Sequence, residues 1–503
     1  MNEQTTWPII WAMIRPFLKI VLIILVPLFA VFGQTSIVIK NAIIVDGSGK
    51  SGFRGDVRIK GNLITGVGNI KPKKDETVID AGGKILAPGF IDIHNHSESG
   101  LLREGTAANQ VSQGITTILV GPDGGSPFPI ADYLAKLAGK IGPNVGAFIG
   151  HASLREQVMN KDFKRQTTPE ELQKMLVLME QAMKDGAFGL SSGLEYDTGF
   201  SASTEELIAL AKVAAKYKGI YMPHMRDEEE GMLDAVRESI RISREARLPL
   251  QISHIKVGNR NVWNKSVEAI ALIEAERKNG LDLTADAYPY TAWGSTITVL
   301  VPSRKHDERS EVEKGLYNVG GADKVLVTTC SAHRDYEGKT LEEIAKMTGM
   351  TPVDVYIQIV RDGGASVVCD SMNETDVRNF YQQPWVMVSS DGGIGGRHPR
   401  GTGTFPRVLG RFVRENKWLA LEEAVRKMSS MPAKRLGLKD RGLIKKGMKA
   451  DLVLFDKEKV IDRNTFTVPQ TLSEGVETVW VNGKAVWEGG KVTGAMAGEI
   501  LRK

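Results

Sequence analysis

The sequence predicts an α/β fold: a (β/α)8 TIM-like barrel with a small composite β-sandwich domain formed by the N- and C-terminal segments. Three observations predict it. Between residues 87 and 438, eight apolar strand-like runs alternate with amphipathic helical stretches, the pattern of a parallel sheet covered by helices. Both flanks read instead as short alternating strands split by glycine turns. Histidines repeatedly close the apolar runs, at the strand ends where such a barrel carries its functional side chains.

Residues 1–33 stand apart from the fold. Arg15 and Lys19 precede an uncharged apolar run from Ile20 to Gly33, which suits a signal-peptide core and is short for a span of about 20 residues. Val31 and Gly33 allow cleavage before Gln34, so the chain is expected to be exported, periplasmic or extracellular. An uncleaved membrane anchor is the alternative, because Pro8 to Met13 extends the apolar character upstream. Residues 34–86 then form the first part of the sandwich, in SIVIKNAII, GDVRIKGNLITGVG and ETVID; residues 439–503 form the second, in ADLVLFD and ETVWVNGKAVWEGGKV.

The eight barrel strands are FIDIHNH, GITTILVG, VGAFIGH, GAFGLSSG, GIYMPH, LPLQISH, LDLTADAY and WVMVSSD. Helical stretches such as TPEELQKMLVLMEQAMKDG and TEELIALAKVAAKYKG lie between them, each opening on a threonine cap with glutamates in the first turn. The segment from about 292 to 350 is too long for one helical connection and is read as an insertion. At 503 residues and 42% hydrophobic, the chain has length and apolar content for one large core plus a small domain. A net charge of +5 with scattered basic residues argues against nucleic acid as a partner. Two cysteines, Cys330 and Cys369, exclude a disulfide scaffold or a cysteine-rich metal site and read as buried free thiols.

His94 and His96, two residues apart on one strand, project to the same side and make half of a metal site. His224, His254 and Asp391 end the fifth, sixth and eighth strands, so all five meet at one barrel mouth. His151 ends the third strand, either to orient substrate or to hydrogen-bond a loop. The constellation predicts a metal-dependent enzyme, with Asp391 as both ligand and general base.

The strand-one motif, the four histidines and the final aspartate resemble the amidohydrolase superfamily. GAFGLSSGLEY, MRDE after His224, SHIKVGN, DAYPYTA and above all GRHPRGTGTFPRVLGRFVRE are similar to the N-acyl-D-amino-acid deacylase (D-aminoacylase) family, from about residue 36 to 500. That resemblance implies one or two zinc ions and a small-molecule N-acyl-D-amino acid substrate. It assigns His94, His96, His224, His254 and Asp391 as ligands, with Asp391 also the proton shuttle. It places Lys256, Tyr288 and Arg397 on the substrate carboxylate; Tyr196 and His151 are candidate substrate contacts beside these, His151 with the loop role above as its alternative. The family typically supplies a cysteine ligand after strand two; here Asp123 stands at that place, a harder ligand that shifts preference toward harder ions. Other superfamily members carry a lysine after strand four; here Glu195 is offered, as a bridge between ions or as a pocket residue. Two rival readings are a cyclic-amide hydrolase of the dihydropyrimidinase or hydantoinase kind, and a non-catalytic membrane-associated binding protein.

Overall fold

The computed structural model describes residues 36–503; the leading apolar segment, with its expected cleavage site, lies outside the described residues. Eight strand positions build the barrel: Phe90–Asp92, Ile115–Val120, Asn144–Ala147 with Ile149–Gly150, Gly189–Gly193, Ile220–His224, Leu250–Ile252, Leu283–Ala287 and Val386–Val388. All neighbours pair in parallel. The ring closes past the ends of the first and last strands. There Asp391 N–H donates to His94 O at 3.0 Å and His96 N–H to Gly392 O at 2.7 Å. Closure thus falls on the two segments that carry His94, His96 and Asp391, fixing them against each other through backbone.

Helices cover the barrel for reasons visible in their sequences. Helix Pro169–Lys184 opens on a capping box: Thr168 Oγ1 accepts from Glu171 N–H at 3.2 Å, and the Glu171 carboxylate accepts from Thr168 N–H at 2.8 Å. The next helix, Thr204–Lys216, is capped by Ser203, whose hydroxyl accepts from Glu206 N–H. Thr204, the expected cap, is instead its first residue, because only Ser203 has the extended backbone a cap requires.

The two flanks form one continuous nine-stranded hydrogen-bonded sheet, the small domain expected from both chain ends. Strand Ile85–Pro88 makes the join. It runs parallel to Ser36–Ile44 on one edge and antiparallel to Leu452–Phe455 on the other, joining both chain ends into a single ladder. Ile39, Ile59, Leu86, Leu452 and Trp480 share an apolar cluster of that sheet. Through Gly89 the same strand leads straight into the first barrel strand.

The insertion between strands seven and eight runs further than 350. Its sheet of Trp293–Thr296, Val325–Thr329 and Ser366–Cys369 is antiparallel, and the last of these is the central strand; without it the other two have no partner. Cys330 and Cys369 are both free and buried in this unit. Among the described residues no helix is long and apolar enough to cross a membrane.

Candidate metal centre and active site

Asp123 is the hub of the barrel mouth. Its Oδ2 lies 3.3 Å from Nε2 of each of His94, His96 and His254, and 4.0 Å from His224 Nδ1. Asp391 Oδ1 sits 3.4 Å from His94 Nε2 and 3.2 Å from His96 Nε2. Two donor groups share Asp123: His94, His96, Asp123 and Asp391 on one side, and Asp123, His224 and His254 on the other; a third, Glu195, His224 and Glu228, adjoins through His224. His224 Nδ1 and His254 Nε2 approach to 2.9 Å.

Backbone strain presents several of these groups. Asp123, His254 and Asp391 take φ of 54°, 31° and 46°, in the left-handed region that non-glycine residues seldom occupy and that gathers at functional sites. The loop carrying Asp123 is pressed onto the end of strand four. A Cβ on Gly193 would sit 2.3 Å from Asp123 O, and one on Gly124 2.6 Å from Gly193 N, so both positions require glycine. Pro-Asp-Gly is therefore a turn whose purpose is to deliver the Asp123 carboxylate.

The electrostatics fit a divalent cation. Burial alone would lower the His94 pKa, yet the Asp123 and Asp391 charges hold it well above its ordinary value. His96 is pushed up to about 10 and His254 to about 9, again against burial. Burial would raise Asp123, but His94 and His254 hold it well below the carboxylate range; for Asp391, Arg400 and then His254 and His94 do the same. Carboxylates that demand protonated imidazoles around them are asking for positive charge, which a bound cation supplies while releasing those protons. Asp123 Oδ1 is buried with no hydrogen-bond partner, a further free ligand atom. Imidazole and carboxylate donors with no thiolate suit zinc and harder divalent ions alike.

Outer carboxylates orient the ligands. Asp286, on strand seven, accepts from His254 N–H at 3.0 Å, Ser389 Oγ at 2.6 Å and Gln251 Nε2 at 2.8 Å, and lies 3.4 Å from His94 Nδ1. Asp92 accepts from Ser390 N–H and Asn95 Nδ2 at 2.9 and 2.7 Å, tying strands one and eight. Neither was assigned a role from sequence, where each is one acid inside an apolar run. Glu195 stands on the far side of His224 from Asp123, in a donor group with His224 and Glu228. Its Oε2 is 2.7 Å from His224 Nε2, the ring nitrogen facing away from Asp123.

The substrate-side residues differ from the sequence reading in three places. Lys256 is buried and ion-paired with Glu228, its Nζ also 2.8 Å from His254 Nδ1; it is not a lone cation. Arg397 stands at the cleft mouth with its side chain 56% exposed, 3.9 Å from Glu337. Arg400 reaches inward instead: its Nη1 lies 2.6 Å from Asp391 Oδ2, and its guanidinium is 4.9 Å from the Tyr288 ring. The Gly392–Gly396 loop turns the chain so that the second arginine of GGRHPRG, not the first, points to the centre. His398, unplaced from sequence, is buried and accepts from Arg400 N–H at 3.0 Å, fixing that arginine's start. His151 is absent from the cleft wall. It begins helix His151–Met159 and meets Glu206 Oε1 at 2.7 Å, beside Arg155, because the chain has already turned out of the strand. Tyr288 lines the cleft, and the Tyr196 hydroxyl lies 3.2 Å from His224 Nδ1. Glu228 and Glu229 are buried acids on the same wall that the sequence reading passed over inside MRDEEE.

The profile of the Amidohydrolase family matches residues 85–486. The chain belongs to that family. It is 35% identical to the D-aminoacylase of Alcaligenes xylosoxydans xylosoxydans, covering 93% of this chain and 97% of the relative. The N-acyl-D-glutamate deacylase of the same organism is 34% identical, over 90% and 94% of the two chains. Among solved structures, the N-acyl-D-glutamate deacylase of Bordetella bronchiseptica, complexed with zinc and a phosphonate mimic of the reaction's tetrahedral intermediate, superposes with a TM-score of 0.84. It is 31% identical and covers 93% of this chain and all of its own. This chain is a metal-dependent hydrolase of that family.

Proposed function

We propose that the enzyme uses zinc to hydrolyse the amide bond of N-acyl-D-amino acids, with water giving a carboxylate and a free D-amino acid. One observation carries the reading: two cationic side chains, Lys256 and Arg400, flank the Tyr288 ring at 5.9 and 4.9 Å, directly beside the Asp123–Asp391 cluster. Each is already paired, Lys256 with Glu228 and Arg400 with Asp391, so a substrate carboxylate would join these pairs as a further acceptor for their N–H donors, as the free α-carboxylate of a linear N-acyl amino acid can. The D-stereochemistry is supported by the relatives named above.

His94, His96, His224, His254, Asp123 and Asp391 would hold the ion, which on binding supplies Lewis acidity toward the acyl carbonyl. Asp391 takes the proton of the attacking water and returns it to the leaving amine. Arg400, paired to the outer oxygen of Asp391, keeps that carboxylate ionised and fixes its orientation. Lys256 and Tyr288 orient the substrate carboxylate, with Glu228 holding the lysine in place. A cyclic amide lacks this carboxylate, and the strand-four end offers Glu195 bound to His224 in place of a lysine.

The test is a screen of zinc-loaded enzyme on N-acetyl-D-methionine, its L-enantiomer, its carboxamide and a hydantoin. Rapid hydrolysis of the D-acid alone is expected, with the carboxamide about 10–100-fold poorer in kcat/KM for a lost charge-assisted contact. Equal rates on acid and carboxamide, or a preference for the hydantoin, would overturn the reading. Export of the chain is proposed with it, on the strength of the apolar run ending at Gly33. N-terminal sequencing of secreted protein should begin at Gln34, and an intact Met1 would contradict that.

A further inference from the structure

We infer that the cleft contains a separate acyl-chain subsite, walled by Leu102, Pro127, Tyr133 and Ile394, that takes a straight apolar acyl chain longer than acetyl. The inference rests on the deacylase reading above and adds which acyl group it prefers. The cleft encloses about 970 Å³, at the upper end of the range that holds whole drug-sized ligands. The α-carboxylate is drawn to Lys256, Tyr288 and Arg400, on the walls of strands six and seven and the loop after strand eight. Across the scissile bond the acyl chain must leave in the other direction, past His96. Among the inner histidines His96 alone has an open side chain, 36% exposed, while those of His94, His224 and His254 are buried.

That wall, carried by the segments after strands one and two and closed by Ile394 from the loop after strand eight, is firmly built and sets Leu102, Pro127, Tyr133 and Ile394 among Glu98, Ser99 and Ser126. Tyr133 donates its hydroxyl to Glu98 O at 3.0 Å, so its ring is held against helix Glu98–Arg103. Ile394 donates its N–H to Ser97 Oγ at 3.1 Å and packs on Gly100, where a Cβ would lie 2.5 Å from Ile394 Cβ. The wall's acid, Glu98, is engaged by the backbone, its carboxylate accepting from Gly121 N–H at 2.7 Å. Leu102, on the same short helix, is half exposed at the rim. A leucine in that position covers a chain running out of the cleft.

The experiment measures kcat/KM of the metal-loaded full chain on N-acetyl-, N-butanoyl-, N-hexanoyl- and N-octanoyl-D-methionine. Each methylene taken from water should raise kcat/KM by about two- to fourfold, mostly through KM, giving roughly 60-fold or more over the six methylenes from acetyl to octanoyl. Leu102→Asp, at a half-exposed site that tolerates the change, and Gly100→Leu, which displaces Ile394, should each cut the octanoyl-to-acetyl ratio by about tenfold or more. A flat or falling series overturns the subsite while leaving the deacylase reading intact. A rising series that both variants leave untouched overturns the assignment of this wall. Failure to cleave any member overturns the deacylase reading and the subsite with it.

Discussion

Two buried clusters of histidine and carboxylate sit at neighbouring strand ends of this barrel and do opposite things. Around Glu206, one carboxylate is matched by one guanidinium: its oxygens accept from Arg155 Nη1 at 2.7 and 2.8 Å and from Thr167 Oγ1 at 2.8 Å, with His151 Nε2 at 2.7 Å. Burial, with Arg155 nearby, lowers the His151 pKa, so the ring stays neutral and the cluster is electrically closed. Around Asp123 and Asp391, by contrast, Arg400 meets only the outer oxygen of Asp391, and carboxylate charge raises the pKa of His94, His96 and His254 against burial. The first cluster is a structural clasp, the second an ion site. What separates them is not residue type but whether charge is already satisfied.

The comparison breaks most sharply at Asp391. Asp391→Asn should lower kcat by roughly 10²–10⁴-fold, the worth of general acid–base catalysis, with much of the metal retained through the amide oxygen. Steady-state kinetics and metal content on one sample decide it, and near-normal turnover would remove Asp391 from its role. At the clasp, Arg155→Met should instead cost about 3–5 kcal/mol of stability by stranding Glu206. Denaturant unfolding measures that, while bound metal per folded chain should not change. Asp286→Asn sharpens the contrast from outside: removing the carboxylate behind His94 and His254 should weaken metal affinity by about 10–100-fold, read by competition with a chelating dye.

The smallest effect concerns acid. His151 and Arg155 overcome burial and hold Glu206 down at about 2, below the ordinary carboxylate value of about 4.3. A depressed carboxylate contributes its full stabilisation above the ordinary value and loses it as pH falls toward the folded one. The stability gap between wild type and Glu206→Gln should therefore narrow between pH of about 4.5 and about 2. A constant gap across that window would show that Glu206 titrates normally.

Much of this was legible in the sequence because barrel strands are continuous apolar runs whose last residues point into one mouth. His94, His96, His224, His254 and Asp391 all announced themselves that way. His151 carried the same signal and misled, since one further residue of chain turned it from strand end to helix start. Arg397 lies in the loop and Arg400 opens the helix Arg400–Arg407 that follows it, and only the path of Gly392–Gly396 decides which enters. Asp286 and Asp92 were hidden because the outer partner of a ligand is defined by what stands across the barrel, never by its own neighbours. The ninefold sheet was equally hidden: each end reads as local strands, and the pairing that joins them spans the whole chain.

The ion site itself is tested most directly at Asp123, the ligand atom common to both donor groups. Zinc bound per chain and the rate on N-acetyl-D-methionine should be measured together for wild type, Asp123→Ala and Asp123→Cys. Wild type and the cysteine variant should hold zinc and turn over in proportion to it, while the alanine variant loses both and keeps its thermal unfolding midpoint. Unchanged zinc stoichiometry in Asp123→Ala would contradict the account, leaving Asp123 as a turn residue and the surrounding imidazoles without their hub.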